Sequence, residues 1–296
     1  MSAAYVAAST VDEALEAMAA GARPVAGGTD LVVGARQGKA PLPESLVAIH
    51  RLEELRGIEE ADGGLHIGAL TSHADLAAHP AVRERFTALA DAAAIVGSHA
   101  TRAFGTLGGN LMNASPAAET TGPLICFGAT VTLRGPSGSR DVPVADLFDG
   151  PGSTTTESGE LLVSVTVPAP ADGTGSCYAR LEYRRQMEIA VVGATAVVTG
   201  TEGNVTAAKV AITALAPTIR LVPEAEAALV GGGSAEQAAT AAAAAAAPIS
   251  DVRASADYRR AMAEVIARRT IEAALARARG EDVPIPASQS LYGGMS

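Results

Sequence analysis

Two glycine pairs constrain this chain more than any other feature. Residues 24–31 read PVAGGTDL and residues 105–116 read GTLGGNLMNASP. Gly27-Gly28 is therefore followed by Thr29, and Gly108-Gly109 is preceded by Thr106-Leu107. A glycine pair bares consecutive backbone N–H groups and admits positive φ, which suits a loop that wraps a phosphate. An ordinary tight turn needs the same freedom, so each pair taken alone is ambiguous. The first pair lies between a short strand, RPVAG, and a helix, LVVGARQG. At that helix start, free N–H groups and the helix dipole both favour an anion. Two converging loops, each with a threonine hydroxyl, suit a pyrophosphate held from both sides, and hence a dinucleotide. Neither loop matches the Gly-x-Gly-x-x-Gly fingerprint or the lysine-bearing P-loop.

Composition narrows the partners. With 296 residues and a formal net charge of −10, the chain can bury a large core but offers no basic face for nucleic acid. No apolar run is long enough to span a membrane. The N-terminus, MSAAYVAASTVDEALEAM, lacks the basic segment and apolar stretch of a secretory signal, so a cytoplasmic location is expected. Cys126 and Cys177 stand in no metal-ligand spacing and are expected as reduced, buried thiols. Any iron–sulfur cluster that serves this protein would then lie on another chain. His50, His66 and His79 show no metal-ligand spacing either. No nucleophile elbow places a serine with a histidine and an aspartate, which argues against a hydrolase.

Along the chain, Thr10-x-x-Glu13 caps a helix that Gly21 ends. SLVAIHRL and LHIGAL read as strands, and Pro80 to Gly97 as one helix with Val82, Phe86, Leu89, Ala93 and Val96 on a single face. TTGPLICFGATVTLRG reads as a short helix entering a strand, and GELLVSVTVP as another strand. The turn-rich APADGTGS is the best domain boundary. Three strands are predicted beyond it, over 178–185, 190–199 and 205–214, then helices over 222–230, 234–247 and 256–279. The alanine run at 238–247 suits a helix rather than disorder.

PVAGGTDL, HIGALTSHADL, ATRAFGTLGGNLMNASPAAE, GELLVSVTVP and RRQMEIAVVGATAVV occur in the order found in one family. From about residue 3 to about residue 282 the chain resembles the FAD-binding subunit of the molybdenum hydroxylases. That subunit is the medium chain of aerobic carbon monoxide dehydrogenase and corresponds to the flavin domain of xanthine dehydrogenase. The resemblance implies an α+β fold. A two-subdomain FAD-binding unit of the vanillyl-alcohol-oxidase (PCMH) type would cover 1–172. A smaller α/β domain with a three-stranded antiparallel sheet and helices would cover 173–282, with an extended tail over 283–296.

The resemblance also assigns residues. Pro24, Val25, Ala26, Gly27, Gly28, Thr29, Asp30 and Leu31 match the first FAD loop, and Thr106, Leu107, Gly108, Gly109 and Asn110 match the second. Glu119 matches an acidic position suited to accept from ribityl or ribose hydroxyls. Val96 and Leu162 match apolar lining positions, and Ile189 the residue against the isoalloxazine face. Arg180 stands where relatives often carry lysine, a charge suited to an anionic reduced flavin, though an ordinary strand-end charge reads as well. Arg184 and Arg185 match a basic pair that serves the cofactor or subunit contacts. His73 and His99 lie near these motifs, but the resemblance implies non-covalent FAD.

No catalytic residue or metal ligand is expected on this chain. The molybdenum cofactor would sit on a large partner subunit and two [2Fe–2S] clusters on a small one, in a doubled heterotrimer. Electrons would leave to NAD, oxygen or a quinone. Thr29-Asp30 departs from the His-Ser of carbon monoxide dehydrogenase, and Ile189 from its aromatic residue, which points to another substrate. Two alternatives stay open at this stage: a self-contained flavin oxidase with its own substrate pocket, and a non-enzymatic nucleotide-binding module.

Overall fold

The computed structural model describes residues 4–38 and 40–291. The chain opens with β1 (Ala4–Ala7), α1 (Val11–Ala19), β2 (Arg23–Val25), α2 (Leu31–Arg36) and β3 (Ser45–Ala48). The three strands form a parallel sheet of order β1-β3-β2, and Val11 and Ala14 of α1 share a core with Val47 of β3. Thr10 caps α1 by accepting from the Glu13 N–H.

Next come β4 (Ile58–Ala61) and β5 (Gly64–Gly68), then six short helices. These are α3 (His73–Ala78), α4 (Pro80–Arg85), α5 (Thr87–Ile95), α6 (His99–Phe104), α7 (Leu107–Met112) and α8 (Thr121–Cys126). They are followed by β6 (Thr130–Gly135), β7 (Gly138–Pro143), the small pair β8 (Phe148–Gly150) and β9 (Ser153–Thr154), and β10 (Leu161–Val167). An antiparallel five-stranded sheet of order β4-β5-β10-β6-β7 packs against these helices. Its central strand β10 alternates only weakly, because Leu161, Leu162, Val165 and Val167 are all buried.

The single helix expected over 80–97 is two helices. Phe86 leaves helical geometry, at φ −119° and ψ 48°, and its fully buried ring meets Phe127 edge-on at 5.2 Å. Burying that ring against α8 outweighs one helical turn. The run 88–95 of α5 is then buried almost all round, which its alanines allow.

After residues 168–173 the chain enters β11 (Thr174–Leu181), β12 (Val192–Thr201), β13 (Asn204–Thr213) and β14 (Arg220–Leu221). The sheet therefore has four antiparallel strands and not the expected three. β14 is two residues long, too short for its alternation to register in the sequence. The helices α9 (Pro223–Val230), α10 (Ala235–Ala244) and α11 (Ala256–Ala278) cover one face. α11 crosses so closely that a side chain on Gly175 would overlap the backbone of Ala274 and Ala278.

Alternation divides the sheet between two cores. Cys177, Ala194, Ala196, Val210 and Ile212 face the helices, whereas Tyr178 and Ala211 join the core of the N-terminal part. Cys126 and Cys177 are free thiols buried in these separate cores.

The expected extended tail is in part a helix, α12 (Ala287–Leu291), and residues 292–296 lie outside the described residues. Its cause is tertiary. The buried Asp91 carboxylate accepts from the Ala287 N–H at 2.9 Å, and the Ser288 hydroxyl accepts from the Arg180 N–H at 2.9 Å.

Candidate functional site

β2 delivers Pro24 and Val25 to a loop, Ala26–Thr29, that Asp30 closes as the N-cap of α2, with Leu31 its first residue. Gly28 has φ +68°, a conformation that glycine adopts without cost. Among the described residues, no group of the protein accepts from the N–H groups of Gly27, Gly28 or Thr29. The loop thus presents three bare donors, as an anion-binding concavity requires.

The two glycine segments are neighbours in space. A side chain on Gly27 would overlap the carbonyl oxygen of Phe104, at the end of α6. A Cβ on Gly105 would stand 3.5 Å from the Thr29 hydroxyl and 3.4 Å from the His73 ring. His73 is buried, and burial together with Arg102 lowers its pKa to about 4, so its imidazole is neutral at pH 7.

The second segment differs from the first in what it does with its amides. Thr106 is the N-cap of α7, and its hydroxyl accepts from the Gly109 N–H at 3.1 Å. Leu107 N–H donates to Thr71 O and Gly108 N–H to Ala69 O, each at 2.9 Å. These amides are consumed inside the protein. Gly108 is needed for packing, because a Cβ there would come within 2.8 Å of the Ala69 Cβ. Asn110 Oδ1 accepts from the Thr120 hydroxyl at 2.8 Å, which leaves its amide nitrogen as a donor. Leu107 and Leu162 are core residues, and the surface here is formed by the exposed Gly109 and half-buried Asn110.

Val96 and Ile189, expected on the flavin walls, come from different halves of the chain and reach one side of the structure. Val96 ends α5; the next residue, Gly97, accepts from the Met187 N–H at 2.9 Å. Arg184 braces the same loop by donating to Met187 O at 2.6 Å. Ile189 is 45 % exposed and Met187 56 % exposed, so this rim is apolar.

Glu119 and Arg180 are both buried and form an ion pair with each other. Arg180 also places Nε 2.7 Å from Glu182 Oε2 and donates through Nη1 to Glu188 O at 3.2 Å. Burial pushes the Glu119 carboxyl above its ordinary value, and the Arg180 guanidinium pulls it part of the way back. Arg180, which the resemblance places beside the flavin, thus faces two carboxylates in this structure.

Arg102, which sequence reading passed over, is the buried residue of α6. It donates from Nη1 to Val96 O at 3.0 Å, and Nη2 lies 3.1 Å from His99 Nδ1. No local sequence signal marks it, since an arginine in a short helix is ordinarily solvated. A cavity of about 800 Å³ lies elsewhere, lined by Arg83, Thr87, Arg277 and Val283 among others, and none of the glycine-loop residues reach it. Among the described residues, no acidic, histidine or cysteine cluster is arranged to hold a metal.

The fold is mixed α+β and carries a glycine loop with bare amides, the arrangement an anion-binding site requires. The family model for the FAD binding domain in molybdopterin dehydrogenase matches residues 1–170. That for the CO dehydrogenase flavoprotein C-terminal domain matches residues 177–274. The chain belongs to this family of molybdopterin-dehydrogenase flavoproteins. It is 35 % identical over 239 residues to the carbon monoxide dehydrogenase medium chain of Hydrogenophaga pseudoflava, covering 79 % of this chain and 83 % of the relative. A putative xanthine dehydrogenase FAD-binding subunit of Escherichia coli is 30 % identical over 287 residues, 94 % of this chain and 98 % of that one. Among solved structures, carbon monoxide dehydrogenase from Hydrogenophaga pseudoflava superposes with a TM-score of 0.88 at 36 % identity, covering 93 % of this chain and 97 % of the other. Quinoline 2-oxidoreductase from Pseudomonas putida gives 0.85 at 30 % identity, with 94 % and 97 % covered.

Proposed function

We propose that this chain is the flavin-carrying subunit of a molybdenum hydroxylase, binding FAD without a covalent bond. A large subunit with the molybdenum cofactor and a small subunit with [2Fe–2S] clusters complete a doubled heterotrimer in the cytoplasm. NAD, oxygen or a quinone takes the electrons. Residues 1–172 form the FAD-binding unit and 173–282 the closing domain. The observation that carries the reading is the loop of three bare amides, Gly27 to Thr29, seated against Gly105.

The residues present fit FAD. The loop supplies donors for the pyrophosphate, Asn110 keeps a free amide nitrogen, and Val96 and Ile189 offer apolar walls for a ring system. Bound FAD would supply the exchange between single electrons and electron pairs. The chain's own work is binding, orientation and electrostatics. Ile189, β-branched, is a stiff wall, and the Met187–Gly97 hydrogen bond holds its loop to the end of α5. The apolar rim of Met187 and Ile189 suits a partner protein that excludes water there.

The test is the visible spectrum of the purified chain, alone and with its partner subunits. A flavin spectrum released by acid precipitation is expected. A colourless chain that takes up no FAD on addition would sink the reading, and a yellow chain that oxidises a small molecule unaided would favour a self-contained oxidase.

A further inference from the structure

Four arginine side chains are nearly removed from solvent, and they are not treated alike. Among the described residues, Arg180, Arg259 and Arg277, with side chains 0 %, 4 % and 6 % exposed, each pair with a buried or half-buried carboxylate: Glu119, Asp251 and Asp91. Arg102 is 9 % exposed and forms no such ion pair among the described residues. Its contacts are the Val96 carbonyl and the His99 ring, neither of them an acidic group. Its charged neighbour is Arg180, a like charge that disfavours its ionised form, as burial does more strongly. A guanidinium stays protonated even so, and leaving one buried without a counter-ion is unfavourable. An anion from outside the chain would complete it.

The position of Arg102 says which anion. Two residues further on, the carbonyl of Phe104 meets Gly27, and Gly105 adjoins Thr29. His73, whose ring borders Gly105, feels the Arg102 charge. The unneutralised cation and the three bare amides therefore belong to one neighbourhood among the described residues.

We propose that Arg102 supplies the charge that neutralises the pyrophosphate of the bound dinucleotide, beside the amides of Gly27, Gly28 and Thr29. This rests on the FAD reading above and deepens it. The site then selects a flavin carrying a pyrophosphate over the flavin ring alone. Arg180, already neutralised by two carboxylates, organises the domain junction.

The full chain stripped of flavin tests this with FAD, riboflavin and inorganic pyrophosphate as probes. Arg102→Met is expected to weaken FAD by about tenfold or more, as loss of a charge-assisted contact does, and to leave riboflavin within about twofold. Pyrophosphate should raise the melting temperature of the wild type but not of Arg102→Met. Arg102→Lys should retain both the stabilisation by pyrophosphate and a salt-sensitive FAD affinity. Equal weakening of FAD and riboflavin by Arg102→Met would overturn the proposal, because Arg102 would then only hold the Val96 loop. So would a wild type whose FAD affinity ignores salt and whose stability ignores pyrophosphate, a result that needs no variant to fold. A wild type that binds no flavin at all would overturn the functional reading and the proposal with it.

Discussion

Gly27 and the carbonyl of Phe104 meet backbone to backbone, so closely that any side chain at residue 27 would occupy the space of that oxygen. The contact joins the loop after β2 to the turn between α6 and α7. It makes one surface of two segments that are far apart in the sequence.

Gly27→Val should therefore separate the segments and abolish FAD retention. Gly109→Val acts by another route, since a Cβ there would stand 2.8 Å from the Thr106 hydroxyl and disturb the cap of α7. Its cost should resemble that of a lost N-cap, about 1 kcal/mol, with FAD weakened less than by Gly27→Val. Flavin absorbance after gel filtration and a urea titration separate the two outcomes.

Removing Arg180 strands carboxylates in the interior. Arg180→Met leaves Glu119 and Glu182 without their guanidinium, and a broken buried pair costs about 3–5 kcal/mol. The double variant Arg180→Met with Glu119→Gln should recover part of that loss, because one stranded charge is gone. Denaturant midpoints of the three proteins decide it; a double variant no more stable than Arg180→Met would contradict the pairing.

Asp91 is a four-way acceptor at the junction of the two cores. It takes Arg277 Nη1 at 2.6 Å, Arg277 Nη2 at 3.1 Å, the Tyr178 N–H at 3.2 Å and the Ala287 N–H at 2.9 Å. Asp91→Ala should free the segment that contains α12 before it unfolds the rest. Limited proteolysis is expected to cut between residues 281 and 291 in the variant at protease levels that leave the wild type whole.

His73 carries a pH dependence whose sign is fixed by burial. Its pKa falls from 6.5 to about 4 in the folded chain, so between these values the unfolded state binds the extra proton. Stability is then fully present above about pH 6.5 and is lost as pH falls towards 4, by up to about 3 kcal/mol. His73→Gln should flatten that part of the stability profile. An unchanged acid limb in urea titrations from pH 7 to 4.5 would rule His73 out as its source.

Much of the fold is legible in single residues. Thr10 announces α1, Pro223 opens α9, and the alternation of Cys177 through Ile212 marks strands with two faces. Misreadings occur where a distant contact overrules local preference. Phe86 breaks a continuous helical pattern to meet Phe127 edge-on, β14 exists because β13 offers it an edge, and α12 forms because Asp91 and the Arg180 N–H hold its first residues.

The candidate site divides in the same way. The glycine pairs, Val96 and Ile189 are visible as motifs, but the motifs do not distinguish the first pair, which leaves its amides bare, from the second, which spends them on Thr71, Ala69 and Thr106. By itself, then, the sequence determined the periodicity, the caps and the places where only glycine is admissible, because these depend on local sterics and hydrogen bonding. The tertiary structure alone decided that Glu119 neutralises Arg180 and that Arg102, among the described residues, is left without a counter-ion. Charge compensation in a buried site depends on which side chains the fold brings within a few ångströms, and no spacing along the chain encodes that distance.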